Sequence, residues 1–256
     1  MFQILKRYLY SSLLKYKNIR IVSYPKSGRT WVRLMLGDLN VYPRFTHTKS
    51  GYIFNDTSYN IDETIPKFYS KRVIFLIRDP RDTVVSQYFH LTKITKQIDK
   101  NLKDFIRDPY NGFERVVVFN KKWFESRNNF KDFLIVSYED LKLNPIDGLE
   151  RILQFIGLPF IRKKNIIDVV RNNEFQKLQQ REISGELYDI HGDRFAEGGG
   201  QGKEGLKIRR GKVGGYVDYF DEEDIEYCEK IFRKHNYCED IKVMKNNSPP
   251  DLLNHP

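Results

Sequence analysis

Several features that assign proteins to a class are scarce or missing in this chain. Its 256 residues include only two cysteines, Cys228 and Cys238, so neither a disulfide framework nor a zinc site is indicated. No apolar run reaches the roughly 18 residues that a membrane-spanning helix needs. The basic segment 1–17 is too polar for a signal peptide and predicts an amphipathic helix. We therefore predict a cytoplasmic protein without a transmembrane segment.

Basic residues exceed acidic residues. Lys and Arg total 44 against 34 for Asp and Glu, which gives a net charge of +10. A surplus of this kind attracts nucleic acid, an anionic membrane surface or a small, highly charged cofactor. The chain has no basic stretch interleaved with aromatic residues, so we predict that nucleic acid is not a partner.

The pattern of apolar residues predicts the fold class. Residues 19–24, 71–77 and 133–136 are predicted strands; the second contains the unbroken apolar run VIFLI, which is typical of a buried parallel strand, and helical spacing follows each of them. We predict a three-layer α/β fold with a central parallel sheet and helices on both faces. The length suits a single domain over residues 1–256, with a core at 18–240 and a tail at 241–256.

The first strand leads into a polar loop and then a helix, a geometry that binds phosphate. The N–H groups of the first helical turn lack intrahelical partners, and the positive end of the helix dipole lies there. A glycine lets the backbone approach an anion, and a lysine adds charge. The residues of this first loop are Lys26, Ser27, Gly28, Arg29 and Thr30, followed by Trp31 in the helix.

Two further segments are candidates for anion contacts. Arg78 follows the apolar run 71–77, at the edge of the sheet where α/β folds bind ligands, and Ser86 lies in the helix after it. Arg78 could instead pair with Asp79 or Asp82 in a structural ion network. The later segment Arg209, Arg210 and Gly211 is either an anion contact or a solvated basic turn.

Four segments, in order along the chain, resemble motifs of the sulfotransferases that use 3′-phosphoadenosine 5′-phosphosulfate (PAPS). YPKSGRTW at 24–31 is similar to the 5′-phosphosulfate loop, and RDPRDTVVS at 78–86 is similar to the 3′-phosphate motif. SYEDLKLNP at 137–145 and IRRGKVGGYVDYF at 208–220 are similar to two later motifs. The resemblance implies an enzyme that transfers a sulfuryl group from PAPS to a hydroxyl or amine and needs no metal.

The resemblance also implies residue roles. The first loop would hold the 5′-phosphosulfate, and Arg78, Ser86 and the later basic segment would hold the 3′-phosphate. Aromatic side chains would bind the adenine. The implied cofactor-binding residues are Lys26, Ser27, Gly28, Arg29, Thr30, Trp31, Arg78, Ser86, Tyr138, Phe175, Arg209, Arg210 and Gly211.

The implied catalytic residues are Lys26, at the leaving phosphate, and His47, as the base. His47 follows Thr46 as in the family pattern, but Phe45 stands where the family has a lysine, and the spacing from the first loop is shorter. His90, Glu63 and Asp56 therefore stay open as alternative bases.

Two other functions compete with this hypothesis. A P-loop kinase or nucleotide triphosphatase would use Asp79 to hold Mg²⁺, although the Gly-Lys-Ser/Thr order of that loop is missing. A basic nucleic-acid-binding module would show binding that weakens steeply with salt. The acceptor stays open among small molecules, glycans and lipids, and so does homodimer formation.

Overall fold

The computed structural model describes residues 16, 18–47, 68–191, 195 and 205–237. Apart from Tyr16, the predicted N-terminal helix lies outside these residues, as do the predicted tail and the candidate bases Asp56 and Glu63.

Four parallel strands form the sheet, in the spatial order β2-β1-β3-β4. Ile21 pairs with Phe45 of β2 and Val22 with Phe75 of β3. Phe75 in turn pairs with Ile135 of β4. The strands are β1 (Ile19–Ser23), β2 (Arg44–Thr46), β3 (Phe68–Ile77) and β4 (Phe130–Ser137).

Side chains that alternate along the strands bury both faces of the sheet. Ile74 and Leu76 of β3 belong to one apolar cluster, and Val73, Phe75 and Ile77 belong to another. Only a sheet covered on both sides needs apolar residues at every position of a strand.

Helices supply both covering layers. The cluster on one face includes residues of α1 and of the helices after β4, and the cluster on the other face includes residues of α4. The prediction of a parallel α/β fold is therefore confirmed. The helices are α1 (Arg29–Asp38), α2 (Pro80–Phe89), α3 (Leu102–Ile106), α4 (Phe113–Glu125), α5 (Tyr138–Leu143), α6 (Pro145–Ile156), α7 (Lys163–Asn172), α8 (Phe175–Ile183), α9 (Glu186–His191) and α10 (Glu222–Lys234). Shorter turns lie at His90–Ile94 (π-helical) and at Ser126–Asn129 and Gly215–Asp218 (3₁₀).

The strand order creates a crevice at one edge of the sheet. The chain leaves β1 toward β2 on one side and returns to β3 on the other side. Ligands of open α/β sheets bind beyond the carboxyl ends of the strands where the order reverses in this way. The first loop follows β1 and Arg78 follows β3, so both lie at this reversal.

Candidate active site

A cavity of about 340 Å³ brings the sequence-predicted residues together. Its walls come from the first loop and α1, the start of α2, α5, α8 and the segment 205–219. Every residue predicted to bind the cofactor lines this cavity except Ser27, which is buried with 1% of its surface exposed. The predicted residues that line it are Lys26, Gly28, Arg29, Thr30, Trp31, Arg78, Ser86, Tyr138, Phe175, Arg209, Arg210 and Gly211.

The first loop has an uncommon backbone conformation. Gly28 precedes α1 with φ 90°, in the left-handed region that glycine adopts readily. Lys26 is also left-handed, with φ 70°, which costs energy for a residue with a side chain. A Cβ atom at Gly28 would lie 2.5 Å from Cδ2 of Tyr138, so α5 packs directly against the loop. The loop is therefore held in one shape by its neighbours.

Arg78 connects three walls of the cavity. Its guanidinium donates hydrogen bonds to the carbonyl oxygens of Lys26 at 3.2 Å and Lys212 at 3.1 Å. It lies 4.5 Å from the ring centroid of Tyr138 and 3.7 Å from a carboxylate oxygen of Asp82. The predicted alternative, a pair with an acid of α2, is thus partly present. However, the Nε atom of Arg78 is buried without a hydrogen-bond partner among the described residues, so the group keeps a donor for a ligand.

Two buried carboxylates hold the segment 205–219 against the cavity. Asp82 accepts hydrogen bonds from the backbone N–H groups of Gly214 at 2.8 Å and Tyr216 at 2.9 Å. Glu182 accepts from the N–H groups of Lys207 at 2.7 Å and Ile208 at 2.8 Å. Burial raises the pKa of both carboxyl groups above their usual range. Because the two carboxylates bind backbone N–H groups on both sides of Arg209 and Arg210, they position these arginines at the cavity.

The aromatic side chains of Trp31, Tyr138 and Phe175 border a slot within the cavity. The indole N–H of Trp31 donates to the carbonyl oxygen of Asn173 at 2.9 Å, which fixes the ring. The ammonium of Lys142 lies 5.6 Å from the ring centroid of Trp31 and 5.3 Å from that of Phe175. The Tyr138 hydroxyl donates to the Gly211 carbonyl at 3.3 Å. Trp31, Phe175 and Tyr138 therefore border one space, as the resemblance implied.

One residue that lines the cavity has a side-chain acceptor without a partner among the described residues. Asn173 is fully buried, and its Nδ2 donates to Asp38 and to the carbonyl of Val169. Its Oδ1 has no hydrogen-bond partner among the described residues. An unpaired buried acceptor costs stability unless a ligand donates to it. An exocyclic amine of a purine is such a donor.

The two histidines that could act as bases differ in position. His90, at the end of α2, lines the cavity, and its Nδ1 is buried without a partner among the described residues. His47, after β2, does not line this cavity within the described part of the chain. Burial and then Arg29 and Arg33 lower the pKa of His47 to about 4. Burial and then Lys26 and Lys207 lower that of His90 to about 3.

Lys26 titrates close to neutrality. Burial and then the charge of Lys207 lower its pKa to about 7; Arg78 and Arg209 act in the same direction, and Glu182 acts in the opposite one. Cations so close together repel each other, and an anion among them would relieve that repulsion. Perturbed pKa values in a cavity of this kind are typical of functional sites.

Sequence reasoning missed several residues of this cavity. Asp82 and Lys142 lie inside the quoted motifs 78–86 and 137–145 but were given no role in the site, and the others lie outside the four motifs. Their roles depend on contacts between distant parts of the chain. Lys207 precedes the predicted basic segment, and Arg33 lies one helical turn after Arg29. Closeness in sequence to predicted residues could therefore have identified these two. The missed residues are Arg33, Asp82, Lys142, Asn173, Glu182 and Lys207.

The nucleotide triphosphatase hypothesis requires Asp79 to bind Mg²⁺, but the carboxylate of Asp79 is already bonded within the protein. Its carboxylate accepts from the backbone N–H of Arg81 at 2.8 Å and pairs with the Arg81 guanidinium at 2.7 Å. It therefore caps α2. Within the described ranges, no group of three or more His, Cys, Asp or Glu could hold a metal ion. None of the helices in those ranges is long and apolar enough to cross a membrane.

Known proteins resemble this chain in sequence and in structure. Residues 62–247 match the sequence profile of the sulfotransferase domain. Human Sulfotransferase 2A1 is 25% identical, over 87% of this chain and 85% of its own. Flavonol 3-sulfotransferase from Flaveria bidentis is 23% identical, over 84% of this chain and 80% of its own. The crystal structure of mouse sulfotransferase SULT7A1 complexed with PAP superposes with a TM-score of 0.64 and 18% identity, covering 90% of this chain and 87% of its own.

Proposed function

Because the chain belongs to the sulfotransferase domain family, we propose that it transfers a sulfuryl group from PAPS to a hydroxyl group of a small acceptor. The observation that carries the choice of PAPS is one cavity lined by both cationic and aromatic side chains. Its cations come from three separate parts of the chain: Lys26 from the first loop, Arg78 from the end of β3 and Arg209 from the segment 205–219. PAPS carries charge at its 5′ and 3′ positions with an adenine between them.

Described residues fit each part of this molecule. The first loop would hold the 5′-phosphosulfate through the N–H groups of α1 and Lys26. Arg78, with its unpaired Nε, would hold the 3′-phosphate together with Ser86 and Arg209. Trp31 and Phe175 would stack on the adenine, and the Oδ1 of Asn173 would accept from its amine. The mouse SULT7A1 structure is a complex with PAP, and its similarity to this chain supports a nucleotide of this kind.

The chemistry follows from the charges at the site. PAPS supplies a sulfuryl group whose transfer forms a sulfur–oxygen bond to the acceptor and breaks the one to the 5′-phosphate. Lys26 would stabilise the charge that develops on the departing phosphate. A histidine would accept the proton that the acceptor hydroxyl loses. The cavity walls would hold the reacting groups in line, which is a large part of catalysis in transfers of this type.

His47 is the proposed base, and its replacement tests the assignment. We expect His47→Ala to lower kcat by about 10²–10⁴-fold, the usual contribution of a general base, with little change in nucleotide affinity. Steady-state rates of sulfate transfer from labelled PAPS measure this. His90→Ala is the matched variant. If His90→Ala causes the larger loss, the base is the histidine that lines the cavity.

Binding of adenosine 3′,5′-bisphosphate (PAP) tests the proposed donor. We expect the wild-type protein to bind PAP without magnesium in a calorimetric titration. Arg78→Ala should weaken binding by about 10- to 100-fold, because a charge-assisted hydrogen bond contributes about 1.5–3 kcal/mol.

The control for that titration is Arg151→Ala, on an exposed position of α6. It removes the same charge from the protein away from the cavity and should leave the affinity unchanged. A folded wild-type protein that binds ATP with Mg²⁺ but not PAP would refute the proposal and favour the triphosphatase alternative.

A further inference from the structure

Two arginines of α1 lie beside the proposed base. Arg29 and Arg33 are four positions apart, so their side chains project from the same face of the helix, and both line the cavity. The guanidinium of Arg33 lies 4.5 Å from the ring centroid of Phe45, two residues before His47. Both arginines act electrostatically on His47. An acceptor whose hydroxyl reached His47 would therefore lie close to two positive charges.

The cavity carries more positive charge than the donor needs. Among the described residues that line it, nine are Lys or Arg, and Asp82 is the one carboxylate. The two phosphate positions of PAPS account for the side chains of Lys26, Arg78, Arg209 and Arg210, and for the backbone N–H of Arg29. Five cationic side chains lie beyond that set: those of Arg29, Arg33, Lys142, Lys207 and Lys212.

Nearby acids offset only part of this positive charge. Asp218 pairs with Arg210 and Lys212, and Asp82 lies 3.7 Å from Arg78. Asp82 and Glu182 direct their oxygens to the backbone N–H groups of the segment 205–219. Arg29, Arg33 and Lys207 each have other interactions in the chain. What they offer an acceptor is therefore positive potential in a confined space rather than vacant donors.

We infer that the acceptor is an anion: a hydroxyl compound whose carboxylate, sulfate or phosphate group binds at Arg29 and Arg33 while its hydroxyl faces His47. This inference rests on the proposed function and names its substrate class. The positive potential of the two guanidinium groups favours such an oxyanion over a neutral group of the same shape.

An anionic acceptor also suits the chemistry of the base. His47 beside two arginines is a weak proton acceptor, because their charges disfavour its protonated form. A carboxylate bound between those arginines and the imidazole offsets their charge and strengthens the base. A neutral acceptor leaves the base weak.

Two pairs of isosteric acceptors test the inference. The first is 4-hydroxyphenylacetate against 4-hydroxyphenylacetamide, and the second is glucuronate against glucuronamide. Each pair differs in one charge at nearly constant shape. With labelled PAPS, we expect kcat/KM to favour the carboxylate member by at least about tenfold. Equal rates for both members, or preference for the amide, would overturn the inference.

Variants of Arg33 test whether this residue causes the preference for the carboxylate acceptor. Arg33→Gln should reduce the kcat/KM ratio of carboxylate to amide to less than about threefold. Arg33→Lys should keep part of that preference because lysine keeps the charge. Arg151→Gln should leave it unchanged. If Arg33→Gln weakens PAP binding and leaves the preference intact, Arg33 belongs to the donor site and the inference is wrong. Thermal unfolding of each variant establishes that it is folded.

Binding separates failure of this inference from failure of the proposed function. If neither pair is turned over, each compound is titrated into the enzyme–PAP complex. Tighter binding of the carboxylates supports an anionic acceptor, and equal or absent binding contradicts it. A wild-type protein that does not bind PAP means that the proposed function fails, and the inference fails with it.

Discussion

Replacing Lys26 with methionine is expected to lower kcat by about 10²–10³-fold, the usual effect of removing one preorganised group from a developing negative charge. Lys26 lies in the loop before α1, held in a left-handed conformation and surrounded by other cations. Methionine keeps the length of the side chain and removes the charge. Sulfate transfer to 4-hydroxyphenylacetate at saturating PAPS measures the change.

The same residue should make PAP affinity depend on pH. In the free protein the pKa of Lys26 is about 7, and a bound phosphate raises it. Above pH 7 the free lysine is largely neutral, so binding takes up a proton and affinity falls as pH rises. PAP affinity should fall by up to about tenfold for each pH unit, which is the limit when binding takes up one proton.

Calorimetry between pH 7 and pH 9 measures this slope, and the Lys26→Met variant provides the control. The variant cannot take up the proton, so its affinity should vary little over this range. A wild-type affinity that stays constant would show that Lys26 does not meet the phosphate in the complex. The second phosphate pKa, about 6, lies below the range and does not interfere.

The second large effect is expected from Gly28→Ala, which should reduce PAP affinity by more than about 100-fold. Two causes act together. The left-handed conformation costs alanine about 1–2 kcal/mol. The new methyl group would lie 2.5 Å from Cδ2 of Tyr138, which must move or push the loop away. Either movement displaces the N–H groups that would hold the phosphate.

Gly37→Ala is the matched control in the same helix. No atom lies within 4 Å of a Cβ built at Gly37, and its backbone is helical. Alanine should be neutral there or stabilise α1 by up to about 1 kcal/mol. Calorimetric titration and thermal unfolding of both variants make the comparison. Wild-type PAP affinity in Gly28→Ala would mean that the loop is not the phosphate site.

The sequence predicted those parts of the site whose chemistry is local. The first loop is one continuous segment between a strand and a helix, so its residue types and its geometry are both visible in the sequence. Arg78 was predictable because it follows an apolar strand, and strand ends meet at one edge of a parallel sheet.

The remaining parts depend on long-range contacts. Asp82 meets the N–H of Gly214 across 132 positions of the chain. Glu182 is an acidic residue in a polar helix, a pattern typical of a solvated surface, yet it is buried with 1% exposed. The helix α8 buries Leu178 and Glu182 on one of its faces, and Leu178 also lines the cavity.

The two tryptophans of the chain lie in unlike surroundings. Trp123 is buried in the core, with its ring stacked on Phe130 at 5.6 Å between centroids. Trp31 borders the cavity, with the Lys142 ammonium near its ring. A molecule entering the slot changes the surroundings of Trp31 and leaves those of Trp123 constant. The intrinsic fluorescence of the protein therefore contains both an occupancy reporter and an internal reference, and site binding can be followed without a label.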